Sequence, residues 1–286
     1  MQETRYYKVG GHVFSLSAEP EIFQLTANYE PFACHEEETT FRLSVENGET
    51  PAYTEELRQD DYGQEIICGH TAEGLTVFEF CWQKQSAGCL VCTSDYACGR
   101  LVTTGRHTKL AVDNALMVFY ALATADKSTV LFHAAIVSHH NKGYMFLGPS
   151  GTGKSTHARL WLKYIGDTAL VNDDNPVVRI GDDGQAVVYG SPWSGKTPCY
   201  RNLRARLGAV TRIERAPSNS IVRLHAIQAF ASVLPACSSM KWDTEIYNNL
   251  CDIVTRVIET TPVYTLYCLP DEEAARVCYG EIMKDK

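Results

Sequence analysis

The sequence predicts an α/β fold in two parts: a smaller β-rich N-terminal domain over 1–105, and a domain with a mixed sheet and hairpins over 106–286. Three observations predict it. Short runs of β-branched and aromatic residues, separated by polar turns, fill the first part. From Gly105 onward, extended patterns are interleaved with helical ones. Within the second part a glycine-rich run, Gly148-Pro149-Ser150-Gly151-Thr152-Gly153-Lys154-Ser155, stands between an apolar strand and a helical segment.

In the first part the extended segments are His12-Val13-Phe14-Ser15-Leu16, Thr40-Phe41-Arg42-Leu43-Ser44-Val45 and Leu75-Thr76-Val77-Phe78-Glu79-Phe80-Cys81-Trp82. The second and third alternate in places between apolar and polar residues, as half-buried strands do. Glu46-Asn47-Gly48-Glu49 and Gln59-Asp60-Asp61-Tyr62-Gly63 are turn-like, and Asn47-Gly48 is the stronger turn signal. No catalytic constellation occurs here, so an accessory or substrate-recognition domain is expected. Cys89-Leu90-Val91-Cys92, followed by Cys98, has two readings. One is a zinc site that takes a fourth ligand from elsewhere. The other, which a single CxxC favours, is a strand over 89–93 in which cysteine serves as a small hydrophobe.

In the second part, residues 111–125 carry a broad apolar face (Leu116, Phe119, Tyr120, Leu122) and predict a helix. Residues 130–137 and 144–147 are extended, with a hairpin turn at Asn141-Lys142-Gly143. A helix is expected over 154–164. Ala169-Leu170-Val171 is a short buried strand that ends at Asn172-Asp173-Asp174. Residues 177–180 and 186–189 form a second hairpin around Asp182-Asp183-Gly184. Helices follow over 221–234 and 244–259, then a strand over 263–269. A final helix covers 271–283, with Asp271 and two glutamates in its first turn.

Bulk composition narrows the function. The chain has 286 residues, 45% of them hydrophobic, which suffices for a real core. Its net charge of −8 argues against a protein that holds nucleic acid by the phosphate backbone. No stretch approaches ~18 consecutive apolar residues, so no membrane span is expected. The start, Met1-Gln2-Glu3-Thr4-Arg5-Tyr6-Tyr7, has no apolar signal region, and the eleven cysteines are expected as free thiols in a cytoplasmic protein.

Gly148 to Ser155 matches G-x-x-x-x-G-K-S/T, a pattern expected by chance in roughly one such chain in a hundred. Its glycines let backbone N–H groups turn inward onto phosphate oxygens, and the following helix N-terminus adds partial positive charge. Gly148, Pro149, Ser150, Gly151, Thr152, Gly153, Lys154, Ser155 and Thr156 are therefore the expected nucleotide-binding residues. In this pattern Lys154 reaches the β and γ phosphates, and the Ser155 hydroxyl ligates Mg²⁺. ATP and Mg²⁺ are the expected cofactors.

Phosphoryl transfer also needs a second metal ligand and a group that takes the nucleophile's proton. Asp173 and Asp174 end an apolar strand only 19 residues after Lys154, which leaves room for a helix, a short loop and a strand. One can face Mg²⁺ while the other faces the acceptor. The alternative is an exposed turn, since Asn172 to Pro176 is rich in turn formers.

These motifs resemble the HPr kinase/phosphorylase family and its relative, ATP-dependent phosphoenolpyruvate carboxykinase. The resemblance covers about 120 to 225. It lies in Leu131-Phe132-His133-Ala134 ahead of the loop, in the loop itself, and in the short strand ending in Asp173-Asp174. It implies a P-loop core of the phosphoenolpyruvate carboxykinase/HPr kinase type. It also implies that Asp174 is the base for a serine hydroxyl, that Asp173 is the metal-side acid, and that His133 lies beside the aspartates. The family has His-Gly where this chain has His133-Ala134, and its glutamate-containing signature is absent. In that place stands Tyr189-Gly190-Ser191-Pro192-Trp193-Ser194-Gly195-Lys196, which looks more like HPr-kinase-related proteins of uncertain substrate. Neither HPr as acceptor nor the phosphorylase reaction follows. Lys196 is a candidate contact to substrate, and Arg215, in a segment loosely similar to a phosphate-contacting one, is another. Oligomers occur in the related kinase, so a homo-oligomer is an open possibility here.

The expectation is a kinase that transfers the γ-phosphoryl group to a hydroxyl, of serine either free or in a peptide or protein. The alternative is a nucleotide-gated binding module without phosphotransfer. A carboxykinase is disfavoured, since the chain is much shorter than that family.

Overall fold

The computed structural model describes residues 2–61, 63–195, 197–240 and 243–285. They form a mixed α/β fold in two compact units, one ending at Thr124 and the next beginning at Ala125.

The first unit contains β1 (Glu3–Val9), β2 (His12–Ala18), α1 (Pro20–Leu25), β3 (Ala33–Cys34), β4 (Phe41–Asn47), β5 (Thr54–Asp61), β6 (Gln64–His70), β7 (Thr76–Trp82), β8 (Gln85–Cys92), β9 (Cys98–Thr103) and α2 (Thr108–Ala123). The strands make one nine-stranded sheet in the order β3-β1-β2-β4-β9-β8-β7-β6-β5. The helix expected over 111–125 is α2. It belongs to this unit and not to the next, so the division falls after Thr124 and not near 105. The cause is the aromatic face of α2. Phe119 meets Phe41 with ring centroids 4.6 Å apart, and the Tyr120 hydroxyl donates to the Val9 carbonyl at 3.0 Å.

Cys89 and Cys92 are in β8, three residues apart. Their side chains therefore leave opposite faces of the sheet. Burial pushes the Cys89 thiol up to about 12 and raises that of Cys92. Cys98 is exposed on β9. Among the described residues no group of three or more His, Cys, Asp or Glu side chains converges on a possible metal position. Cys89 and Cys92 are thus strand residues of β8.

The second unit contains β10 (Thr129–Phe132), β11 (Ala134–His139), β12 (Lys142–Leu147), α3 (Lys154–Tyr164), β13 (Thr168–Asp174), β14 (Val177–Ile180), β15 (Ala186–Tyr189), β16 (Arg204–Arg215), β17 (Ser220–Leu224), α4 (Ala226–Val233), β18 (Cys237–Ser238), α5 (Thr244–Thr260), β19 (Val263–Cys268) and α6 (Glu272–Ile282). The sheet runs β13-β11-β12-β16-β15-β14-β10-β18, and β19 pairs the second half of β16 and carries β17. One face buries Ala158 and Trp161 of α3 with Ala274, Ala275 and Cys278 of α6. The other buries Leu250, Ile253, Val254 and Val257 of α5. Their i, i+3, i+4, i+7 spacing is that of a helix lying on a sheet. Trp161 is fully buried, and burial of such a side chain contributes roughly 2–3 kcal/mol. Asp243 and Asp271 cap α5 and α6 by accepting from Ile246 N and Ala274 N.

Three expectations change. Residues 130–137 are two strands, not one, because the chain breaks pairing at His133. β10 pairs β14 and β18, whereas β11 pairs β12 and β13. The turn after β11 is the pair His140-Asn141, both at positive φ, one residue earlier than the glycine suggested. The helix expected over 221–234 begins only at Ala226. Ile221 and Val222, both β-branched, instead sit in β17, where Ile221 faces the α6 side and Val222 the other. No helix among the described residues is long and apolar enough to cross a membrane.

Candidate functional site

Strand direction gathers the candidate residues. β12 is parallel to β16, which is parallel to β19, while β11 is antiparallel to both β12 and β13. Strands β12, β13, β16 and β19 therefore end on the same edge of the sheet, and β11 starts there. Such carboxyl-end edges are where open α/β sheets bind ligands. Here that edge carries the glycine loop after β12, Asp173 and Asp174 at the end of β13, His133 just before β11, and Arg215 at the end of β16.

The loop runs from Leu147 straight into α3. Gly148, Gly151 and Gly153 all have positive φ, and Gly153 is the residue before the first helical turn. A Cβ on Gly148 would lie 2.6 Å from Thr152 Oγ1, so only glycine fits that position. Thr152 Oγ1 donates back to the Pro149 carbonyl at 2.7 Å and tightens the turn. Lys154 is buried, and its ammonium donates to the carbonyls of Gly148 at 2.9 Å and Pro149 at 3.3 Å. Burial lowers its pKa, while Asp174 and then Asp173 oppose the shift. The two carboxylates are thus close enough to the loop to act on its lysine. Ser155 is half-buried, and Thr156 is exposed. Arg215 donates to the carbonyls of Gly151 and Thr152, so the β16 end is tied to the loop.

The two aspartates differ in setting. Register pairs Asp173 with Ala135, which belongs to the cluster under α3, and pairs Asp174 with Ala134, on the opposite face. Asp173 is 6% exposed, and its Oδ1 is buried without a hydrogen-bond partner among the described residues. A buried, unmatched carboxylate oxygen on the α3 side suits a hard cation that takes oxygen ligands. Asp174 is half-exposed, and its Oδ1 lies 3.8 Å from His133 Nε2. The His133 backbone N–H is anchored on the Ala236 carbonyl at 2.7 Å. The break between β10 and β11 therefore places this histidine beside Asp174.

Sequence reasoning missed the residue that holds the pair in place. Asn172 is fully buried. Its Oδ1 accepts from Asp174 N at 2.9 Å, and its Nδ2 donates to Ser191 Oγ, Ser191 O and Trp193 O at 3.1, 3.4 and 3.3 Å. Partner chemistry fixes the orientation of this amide, since one end meets an N–H and the other meets carbonyls. Ser191 Oγ in turn donates to the Asn175 carbonyl at 2.6 Å. Gly195 N donates to the Asp173 carbonyl, and Ser194 bridges Asp174. The 191–195 segment thus lies along the outer side of the aspartates. Asn172 looked like one turn former among several, and nothing local marked its burial. Lys196 lies outside the described residues.

His157, one turn into α3, is buried. Its Nε2 accepts from Trp161 Nε1 at 3.1 Å, and burial depresses its pKa from 6.5 to about 3. It is neutral when folded and takes a proton more readily when unfolded. Its contribution to stability is complete above pH 6.5 and is lost as the pH falls from there toward 3. The slope approaches about 1.4 kcal/mol per pH unit within that window. Denaturant midpoints measured from pH 7 to pH 4.5 are expected to fall less steeply in His157→Gln than in the wild type. Equal slopes would remove His157 from the acid response.

Among solved structures, the chain is similar to the HPr(Ser) kinase/phosphatase from Coxiella burnetii, with a TM-score of 0.32 and 9% identity, over 54% of this chain and 97% of that one. No family model and no curated protein matches.

Proposed function

We propose that the chain is an ATP-dependent kinase that transfers the γ-phosphoryl group to a hydroxyl, with serine, free or in a peptide or protein, as the acceptor type. The observation that carries this reading is the placement of an Asp–His pair, and of a buried aspartate with one unmatched oxygen among the described residues, on the edge where the glycine loop opens. A phosphate-binding loop serves many functions, and a carboxylate beside a histidine next to it supplies the proton acceptor that transfer to a hydroxyl requires.

In this reading the loop amides and the α3 N-terminus hold the phosphates, and Lys154 neutralises charge on them. Arg215 adds positive charge at the loop's far side. Ser155 and Asp173 would hold Mg²⁺, which screens phosphate charge when bound. Asp174 accepts the proton of the acceptor hydroxyl, with the His133 imidazole 3.8 Å from its carboxylate, where a protonated ring would favour the charged form. Positioning and charge stabilisation supply most of the acceleration in such transfers.

The test is transfer of label from γ-labelled ATP, with Mg²⁺, to a panel of serine-bearing small molecules, peptides and proteins. Labelling that EDTA abolishes is the expected result. Tight nucleotide binding with no acceptor labelled across the panel would overturn the kinase reading in favour of a nucleotide-gated binding module.

A further inference from the structure

The order of groups along the site's edge gives a bound nucleotide a direction. Across the sheet the sequence of groups is Asp173 and Asp174 on β13, His133 at β11, the glycine loop after β12, Arg215 on β16 and Tyr267 on β19. If the γ-phosphate faces Asp174, as the kinase reading requires, the ribose and base leave the loop the other way, over the ends of β16 and β19.

The surface changes character there. Tyr267 is 42% exposed, Val222 51% and Leu269 40%. Antiparallel register pairs Ser220 with Tyr267 and Val222 with Thr265. Tyr267 and Val222 thus project from one face as diagonal neighbours, about 7–8 Å apart at Cα. Leu269 follows just past the end of β19. Large apolar side chains scattered singly on a surface need no explanation, but three grouped at one corner do. Arg212 and Glu214 of β16 leave the same face and pair with each other at 2.7 Å, bordering the corner on its loop side. Asn219 stiffens its far border. Its amide donates to Asp271 Oδ1 and Glu273 Oε2, and its Oδ1 accepts from Leu269 N.

The reach is suitable. Leu147, the last residue before the loop, is in register with Arg212, and Glu214 is in register with Tyr267. Tyr267 is two strands across and two residues further along, which places its Cα about 12 Å from that of Leu147. A ribose and one phosphate bridge a gap of that order.

We infer that Tyr267, Val222 and Leu269 form the dock for the heteroaromatic base of the nucleotide, with the Tyr267 ring as the stacking surface. This rests on the kinase reading for its direction, and the test separates the two. Binding of Mg-ATP and of Mg-tripolyphosphate, which has the phosphates and no base, is measured by calorimetry on the full chain, Tyr267→Ala and Tyr267→Phe. Thermal melting checks that each variant folds.

Tyr267→Ala is expected to weaken ATP about tenfold, the scale of one lost stacking contact. Tyr267→Phe should stay near the wild type, and tripolyphosphate affinity should be the same in all three. An unchanged ATP affinity in Tyr267→Ala would overturn the dock, as would an equal loss for both probes. A shift in sedimentation with no change in ATP affinity would also overturn it, and would make the corner a contact between copies of the chain. Wild-type protein that binds both probes equally well keeps the phosphate loop and loses the dock, whereas protein that binds neither loses both.

Discussion

Asp174→Asn is expected to lower phosphoryl transfer about 10²- to 10⁴-fold, the range of a lost general base, while the ATP dissociation constant stays within about threefold. The substitution removes charge and proton affinity and little else. The backbone N–H of residue 174 keeps its bond to Asn172 Oδ1, and the bridge to Ser194 is a main-chain feature. The side chain is half-exposed, so the fold should tolerate an amide. Single-turnover transfer from labelled ATP to an identified acceptor measures the rate, and calorimetry measures the affinity. An unchanged rate would take the base assignment away from Asp174. Asp173→Asn should behave differently. Under the proposed function its carboxylate is a cation ligand, so its loss should appear mainly as a raised requirement for Mg²⁺.

The second large effect is expected at Asn172. Asn172→Ala leaves Asp174 N without its side-chain acceptor, and removes the amide donor from Ser191 and Trp193 in a fully buried setting. Trp193 O and Ser191 Oγ keep other partners, so the main cost is the Asp174 N–H and Ser191 carbonyl left without the amide; at about 1–3 kcal/mol per unmatched group, a loss of about 2–3 kcal/mol in unfolding free energy is expected from denaturant titration. A rate effect should accompany it, because this side chain joins the Asp174 backbone to the 191–195 segment. At temperatures where the variant is folded, transfer is expected to fall at least about tenfold, with ATP affinity near the wild type. A destabilised variant with an undiminished rate would make Asn172 a purely structural residue.

Legibility differed by element for physical reasons. The glycine loop, α3 and the β14–β15 hairpin could be read because local chemistry decides them: φ freedom at glycine, apolar spacing of 3.6, and turn formers between alternating strands. The strand before the aspartates was read short. Asn172, Asp173 and Asp174 look like turn formers, yet they are paired residues of β13, because β11 and the 191–195 segment flank them. The segment 221–234 departs from its helical pattern for a related reason. Its apolar spacing suits a helix, but β19 offers Ile221 and Val222 a partner strand, and tertiary pairing overrides propensity.

By itself, the sequence determined the glycine-rich loop, the helix behind it and the acidic strand end, since these depend on neighbours within a few residues. Only the tertiary structure decided what stands beside them. The break at His133 turns a histidine toward Asp174, parallel register carries Arg215 back to a loop some sixty residues earlier, and the burial of Asn172 binds the aspartates to a segment about twenty residues later. Register and burial are properties of which strands meet. No local pattern encodes that choice, because it is made by the whole sheet when its two faces find their helices.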